Sequence, residues 1–404
     1  MIVYRAAWVL PITGPPISDA GVSVDADRIV GIHKAPFPAS AKVLDLGHAA
    51  LLPGLVNAHT HLELSWLRGR VAPRARFIDW VRDLVRLRRD EAPSAVREAM
   101  SGALAEVRSS GTALVGDISN TLASVKPLLD SRIGGVVFRE VIGFQRSRAD
   151  EVFRQAVADL DAAAWTTSLR GGLAAHAPYS VSAPLFQSIV RSFVKDHVGI
   201  TSVHLAESAE EVEFVRTGDG PWKVLLEELN VWDPSWETPR CGPVEYVDRL
   251  GYLRPGTLAV HGVQTTHDDL ATLKRREVTL VTCPRSNLWT GAGTPPLHSF
   301  FEAGVRVAIG TDSLASAPDL NLFSELAEAR RLAPGVTARD LLRAATLNGA
   351  QALGFGTEHG SIEPGKRAAL IAVDGPPAGE DVEEYLVSGV TSSQVRWVTE
   401  YSDV

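Results

Sequence analysis

Pro53-Gly54-Leu55-Val56-Asn57-Ala58-His59-Thr60-His61 places two imidazoles, two residues apart, after an apolar run that reads as a buried strand. Alternate residues of a strand point the same way. At about 3.3 Å of rise per residue their Cα atoms lie roughly 6–7 Å apart. Both rings can then converge on one ion through bonds of about 2.0–2.1 Å. Two satisfied histidines at a strand end would read the same way in isolation, so the rest of the chain has to separate the two readings.

Seven further apolar runs follow, interleaved with helical stretches: Thr112 to Gly116, Gly134 to Phe138, Gly171 to Ala175, Ile200 to Val203, Thr257 to Val260, Val278 to Thr282 and Val305 to Ile309. Counting Leu52 to Val56 as the first, eight strands alternate with helices, the longest helix running from about Phe77 to Arg108. This α/β pattern predicts a closed parallel barrel. The first 50 residues and those from about 360 onward are instead β-like, with hairpin punctuation such as Gly14-Pro15-Pro16. Neither end can bury a core alone. The reading therefore pairs 1–50 with 360–404 in one small β-sandwich and gives 51–359 to the barrel. The stretch from Gly218 to Gly251, with Trp222, Trp232 and Trp236, is an insertion that reads equally as a lid or as a packed outer loop.

In such a barrel the carboxyl ends of all strands gather on one rim, where active sites of the architecture lie. Along this chain those ends carry His59 and His61, Asp117, Arg139-Glu140, His176, His204 with Glu207, His261, Cys283 to Asn287, and Asp312. Strand ends are where any chain turns polar, which accounts for Asp117. It does not account for five histidines on one rim in a chain that has 11.

Composition narrows the class. Hydrophobic content of 45% and charged content of 22% are ordinary for a globular protein. A net charge of -8 without a Lys/Arg block argues against a nucleic-acid partner. Only Cys241 and Cys283 are present, so there is no disulfide framework and a reducing compartment fits. No run of about 18 apolar residues occurs. The expectation is a cytoplasmic protein with no membrane partner; a homo-oligomer is compatible with all of this.

The constellation has a chemical logic. Three neutral imidazoles, His59, His61 and His204, with the Asp312 carboxylate suit a single divalent ion such as Zn²⁺, with Fe²⁺ or Mn²⁺ as alternatives, and leave a position for water. Glu207, three residues past His204, can reach that water without being a ligand and carry its proton to a leaving nitrogen. His261 would hold or polarise the same water, unless it is only a structural rim histidine.

Asn57-Ala58-His59-Thr60-His61, His204-Leu205-Ala206-Glu207, His261-Gly262-Val263 and Gly310-Thr311-Asp312 together resemble the amidohydrolase superfamily, in its mononuclear deaminase and chlorohydrolase branch. The resemblance spans Val3 to about Val398. It implies a distorted (β/α)8 TIM barrel with an appended β-sandwich, one metal held by His59, His61, His204 and Asp312, and hydrolysis at an amidine-like carbon of a small heterocyclic substrate. Glu207 would shuttle protons, and His261 with Asp312 would position water. Binuclear relatives carry a carboxylated lysine near the end of the fourth strand, where this chain has His176. That histidine, in His176-Ala177-Pro178-Tyr179-Ser180, would lie near a nucleoside sugar. The short stretch after Trp397 departs from the pattern and would leave the sandwich a strand poorer.

Finer signs, His61-Leu62-Glu63-Leu64-Ser65, Gly220-Pro221-Trp222, Pro243-Val244-Glu245-Tyr246 and Cys283-Pro284-Arg285-Ser286-Asn287, look like the aminodeoxyfutalosine deaminases of bacterial menaquinone synthesis. Such a substrate joins an adenine-like base, a ribose and a benzoate. Its carboxylate calls for an arginine. Arg285 is the leading candidate and Arg146 and Arg148 are reserves, although each also reads as a surface arginine. Glu63 would bind a hydroxyl or cap the following segment. Deaminases of S-adenosylhomocysteine, methylthioadenosine, guanine or cytosine share the metal-site residues. A chlorohydrolase would have less use for Glu207, and a non-catalytic barrel scaffold would have lost ligands that are all present here.

Overall fold

The chain begins with five strands, β1 (Ile2–Val9), β2 (Ile17–Asp25), β3 (Arg28–Lys34), β4 (Lys42–Asp45) and β5 (Ala49–Pro53), and leaves their sheet at Gly54. The run expected as one strand, Leu52 to Val56, is therefore two strands in two sheets. A Cβ at position 54 would lie 2.8 Å from the Ala113 Cβ and 3.0 Å from the Trp397 ring, so only glycine passes between them. Residues 1–89, 92–193, 199–376 and 380–398 are described by a computed structural model of the chain.

Eight strands then follow: β6 (Leu55–Thr60), β7 (Thr112–Ser119), β8 (Gly134–Val141), β9 (Leu169–Ala175), β10 (Thr201–Leu205), β11 (Thr257–His261), β12 (Thr279–Thr282) and β13 (Arg306–Ile309). They pair in sequence order, each parallel to the next. The ring closes where Thr60 pairs with Asp312. Asn57 fastens the seam, its Nδ2 donating to Thr311 Oγ1 at 2.7 Å and its Oδ1 accepting from the Thr311 backbone at 3.1 Å. This is the (β/α)8 barrel read from the alternation of apolar runs. Alternate residues Leu114 and Ile118, Val136 and Phe138, and Leu258 and Val260 fill its interior, while the opposite parity, such as Val115, Val137 and Leu205, packs against the surrounding helices.

The long helix expected from Phe77 to Arg108 is two helices, Phe77–Arg88 and Pro93–Ser109. Proline lacks an N–H and disfavours helical backbone in the residue before it, so Pro93 can open a helix but not sit inside one. Ala92 is accordingly extended, with φ −99° and ψ 121°.

The chain returns to its first sheet with β14 (Leu370–Asp374) and β15 (Val395–Trp397). The order is β15-β14-β5-β1-β2-β3, with β4 parallel to the first half of β1. The sheet curls on itself, since Arg28 at the head of β3 bridges to Arg367 just ahead of β14. Val9, Val22, Leu51, Leu370 and Val398, drawn from both ends of the chain, share its core. Among the described residues no helix is long and apolar enough to cross a membrane.

Candidate active site

Four backbone irregularities aim side chains at the barrel mouth. Val56 and Ala58 face the interior cluster, so strict alternation would turn His59 away from it. A register irregularity between Asn57 and Thr60 turns it back, the kind of bulge that re-aims a residue beside a site. His261 follows the inward Val260 and is turned by a φ of 78°. Ala206 and Asp312 also sit in the left-handed region, at φ 50° and 58°. For residues other than glycine such backbone costs on the order of 1–3 kcal/mol each and tends to cluster at functional sites.

The result is a knot of imidazoles. The His59 ring centre lies 4.9 Å from that of His61, 5.0 Å from His204 and 5.7 Å from His261. His61 Nε2 and His204 Nε2 are 3.3 Å apart. Asp312 Oδ1 stands 3.6 Å from His61 Nε2 and 3.9 Å from His59 Nε2. Two donors about 2.05 Å from one tetrahedral ion would be about 3.3–3.4 Å apart, so the spacing suits a shared cation. Both ring nitrogens of His59 are buried with no hydrogen-bond partner among the described residues. Burial, then the neighbouring imidazoles, holds His59 well below its usual pKa. A neutral ring with a free lone pair in such surroundings is what a cation needs.

The surroundings set the tautomers. His204 Nδ1 lies 2.9 Å from the carbonyl oxygen of His176; a carbonyl only accepts, so the proton is on Nδ1 and the Nε2 lone pair faces the knot. Asp312 Oδ2 accepts from Ser286 Oγ at 2.5 Å and Ser316 Oγ at 3.1 Å, which leaves Oδ1 to the histidines. These four donors, His59, His61, His204 and Asp312, can hold one divalent ion.

Glu207 is 4% exposed and its Oε1 lies 3.4 Å from His261 Nε2. Burial, then the charges of Asp312 and Glu211, pushes its pKa well above the usual carboxylate range. Glu211 positions it: the two Glu211 oxygens accept from the backbone of Ala206 at 2.9 Å and Glu207 at 2.8 Å. Asn287 Nδ2 donates to His261 Nδ1 at 2.9 Å, so the His261 proton sits on Nε2, toward Glu207.

The remaining candidates divide. Glu63 is not open to a substrate hydroxyl. Its carboxylate accepts from Ser119 Oγ, from Thr121 Oγ1 at 2.8 Å and from the backbone of Asn120, Thr121 and Ala123 at 2.9, 3.2 and 3.0 Å, clamping the loop after β7. Arg285, the leading candidate for a carboxylate, is already committed: Nε donates to Glu325 Oε1 at 2.7 Å, Nη1 pairs with Asp319 Oδ1 at 2.9 Å, and Nη2 donates to the Asp319 carbonyl at 2.9 Å. Glu325 is fully buried, and burial raises its pKa to about 7 despite the arginine. Arg285→Met is therefore expected to destabilise the fold by about 3–5 kcal/mol, the usual cost of breaking a buried pair. Urea unfolding tests this; a change under about 1 kcal/mol would contradict the structural role.

Arg146 is exposed, and its backbone N–H donates to Asp233 Oδ2 at 2.8 Å. Arg148 lies at a cavity of about 300 Å³ that His176 also lines, and its guanidinium is paired with the exposed Glu151, Nε donating to Oε2 at 3.3 Å and Nη2 to Oε1 at 3.1 Å. The cavity walls include Val81, Ile142, Phe144, Trp222 and Leu226, with His176 facing the knot. The insertion supplies one wall, since Trp222 stacks on Tyr179 at 3.6 Å between ring centres. Trp236 packs on Phe214 at 4.7 Å. Sequence reasoning singled out neither Glu211 nor Asn120. A carboxylate four residues beyond Glu207 was the one available sign of the first, and nothing marked the second.

Comparison with known proteins identifies the family of the chain. A sequence model described as Amidohydrolase family matches residues 50–396. An aminodeoxyfutalosine deaminase of Deinococcus radiodurans is 34% identical over 76% of this chain and 74% of its own length. A 5-methylthioadenosine/S-adenosylhomocysteine deaminase of Moorella thermoacetica is 31% identical over 98% of this chain and 92% of its own. The crystal structure of an adenosine deaminase from Xanthomonas campestris with bound zinc superposes with a TM-score of 0.82 at 30% identity, covering 98% of this chain and 90% of that one.

Proposed function

The chain belongs to the amidohydrolase family and is a hydrolase of carbon–nitrogen bonds, and from that premise we propose that it replaces the exocyclic amino group of an aminopurine nucleoside with oxygen, releasing ammonia, with aminodeoxyfutalosine as substrate. The observation that carries the reading is the meeting of three imidazoles and Asp312 beside a buried, non-ligand Glu207. His59, His61, His204 and Asp312 would hold one divalent ion, for which this nitrogen-rich set favours Zn²⁺ over Fe²⁺ or Mn²⁺. When bound, such an ion lowers the pKa of water from about 15.7 to about 7, so hydroxide is available at neutral pH.

The residues of the chain do the rest. Glu207, with a proton affinity raised by burial, takes the proton of the attacking water and delivers it to the amine, which must be protonated to leave. His261 presents Nε2–H toward the same space and stabilises the negative charge that develops there. Asp312 and Glu207 are both buried, and burial would strengthen the pull of each carboxylate on the attacking water.

The choice among nucleosides rests on the cavity beyond His176. Its apolar walls suit an aryl group, and Arg148 at the same cavity could turn from its exposed Glu151 partner to the aryl carboxylate. A 5′-methylthio arm would fill the same walls without using Arg148, which keeps methylthioadenosine as a second reading. Arg148→Met is expected to lower kcat/KM for aminodeoxyfutalosine about 10-fold, the low end for a charged hydrogen bond at a solvated position, and to leave methylthioadenosine nearly unchanged. Ammonia release over aminodeoxyfutalosine, methylthioadenosine, S-adenosylhomocysteine and adenosine, with metal analysis of the same sample, tests the whole proposal. The highest kcat/KM on aminodeoxyfutalosine supports it, and no release from any aminopurine nucleoside overturns it.

A further inference from the structure

Glu140, at the carboxyl end of β8, is 4% exposed, and the chemistry above makes no use of it. One of its oxygens is held: Oε2 accepts from Asn120 Nδ2 at 2.6 Å. Asn120 is itself fixed, its Oδ1 accepting from Arg88 Nη2 at 3.0 Å and its backbone N–H donating to Glu63 Oε2 at 2.9 Å. The other oxygen, Oε1, is buried with no hydrogen-bond partner among the described residues. It faces His176 Nε2 at 4.0 Å and His204 Nδ1 at 3.8 Å.

Neither histidine satisfies it. The Nδ1 proton of His204 goes to the His176 carbonyl oxygen at 2.9 Å. His176 Nδ1 lies 2.6 Å from Ser180 Oγ, whose own proton goes to the Ala177 carbonyl at 3.2 Å. Ser180 therefore accepts from Nδ1–H, and His176 Nε2 is left with a lone pair. Two rigidly held acceptors thus face one another across 4.0 Å with no donor between them. A buried carboxylate oxygen without a donor is costly in isolation.

We infer that Glu140 Oε1 recognises a hydroxyl of the substrate sugar, accepting its O–H beside His176 Nε2, which the family resemblance places near the sugar and which would accept from the adjacent hydroxyl. The inference rests on the nucleoside reading above and deepens it. It also gives the three parts of the substrate consecutive places: base at the imidazole knot, sugar at Glu140 and His176, and arm in the apolar cavity that His176 also lines. A second cation at Glu140, His176 and His204 is the competing use of these atoms, but it would have to displace the proton that His204 Nδ1 gives to the carbonyl.

The experiment compares methylthioadenosine with its 2′-deoxy and 3′-deoxy counterparts, by ammonia release and by calorimetric binding, on the wild type and on Glu140→Gln. Gln at this position can keep the Asn120 contact while turning an amide N–H₂ into the gap. Loss of a hydroxyl should cost the wild type about 10- to 100-fold in kcat/KM, chiefly through KM. Glu140→Gln should cost the ribonucleoside a similar factor, and the two losses should not add. Metal content should stay at one equivalent in both proteins. Equal treatment of hydroxyl and deoxy substrates by the wild type, additive losses, or a second equivalent of metal that Glu140→Gln removes would each overturn the inference. Selective binding of the ribonucleoside without ammonia release upholds this site and overturns the deaminase reading. Ammonia release without hydroxyl discrimination does the reverse, and no nucleoside binding at all overturns both.

Discussion

Glu207→Gln is expected to retain the bound cation and lose about 10²–10⁴ in kcat, the range typical of general acid–base catalysis. The side chain keeps its shape and its place, because Glu211 holds the backbone at Ala206 and Glu207 rather than the carboxylate itself. What is lost is the capacity to accept a proton from water and return it to nitrogen. Burial and the nearby charges of Asp312 and Glu211 raise the proton affinity of Glu207, which suits a group that must hold a proton between two steps. Because Glu207 is buried, a neutral glutamine should not destabilise the fold. Metal analysis and single-turnover kinetics decide the matter. Metal loss with little change in rate would make Glu207 a ligand and not a proton carrier.

The opposite pattern is expected at the donors. His204→Ala should lose the cation and activity together, because His204 Nε2 lies 3.3 Å from His61 Nε2 and its Nδ1 proton is locked by the His176 carbonyl. Removing it leaves three donors and a cavity beside His59, whose ring nitrogens already lack partners among the described residues. The rate should fall by at least about 10²–10³, corresponding to the several kcal/mol a Lewis acid supplies. A ligand that binds only the folded state stabilises it by mass action. A chelator should therefore lower the Tm of the wild type and leave that of His204→Ala unmoved. A variant that kept a full equivalent of metal would remove His204 from the proposed ligand set.

The two variants separate the roles that a shared location blurs. His261 and Glu207 are 3.4 Å apart and both are buried, and neither is proposed as a ligand. Residues three positions apart in sequence, His204 and Glu207, thereby take different work. The positive φ of 50° at Ala206 between them is what turns the chain so that both face the mouth.

Much of this was written in residue order. Apolar runs alternating with helical stretches require parallel strands joined by helices, and parallel strands put all their carboxyl ends on one rim. The barrel and the polar rim, from His59 to Asp312, follow from that periodicity. Periodicity is local, so the sequence carries it directly. Helix breaks were less visible: Phe77 to Arg108 reads as one amphipathic helix until Pro93 is given its weight.

What only the folded chain decided is where the free ends of long side chains go. From the sequence Arg285 is the leading substrate contact, Arg148 a reserve and Glu63 either a hydroxyl binder or a cap, while Glu140 is only one of the polar residues on the rim. Arg285 is spent on buried Glu325 and on Asp319, Glu63 on five donors at the end of β7 and in the loop after it, while Glu140 keeps an oxygen open and Arg148, at the apolar cavity, is held only by the exposed Glu151. Those assignments depend on partners 40, 34 and about 60 residues distant. Backbone repeat sets the positions of Cα atoms, but hydrogen-bond saturation of a buried charge is settled only by which distant donors the tertiary packing brings within about 3 Å.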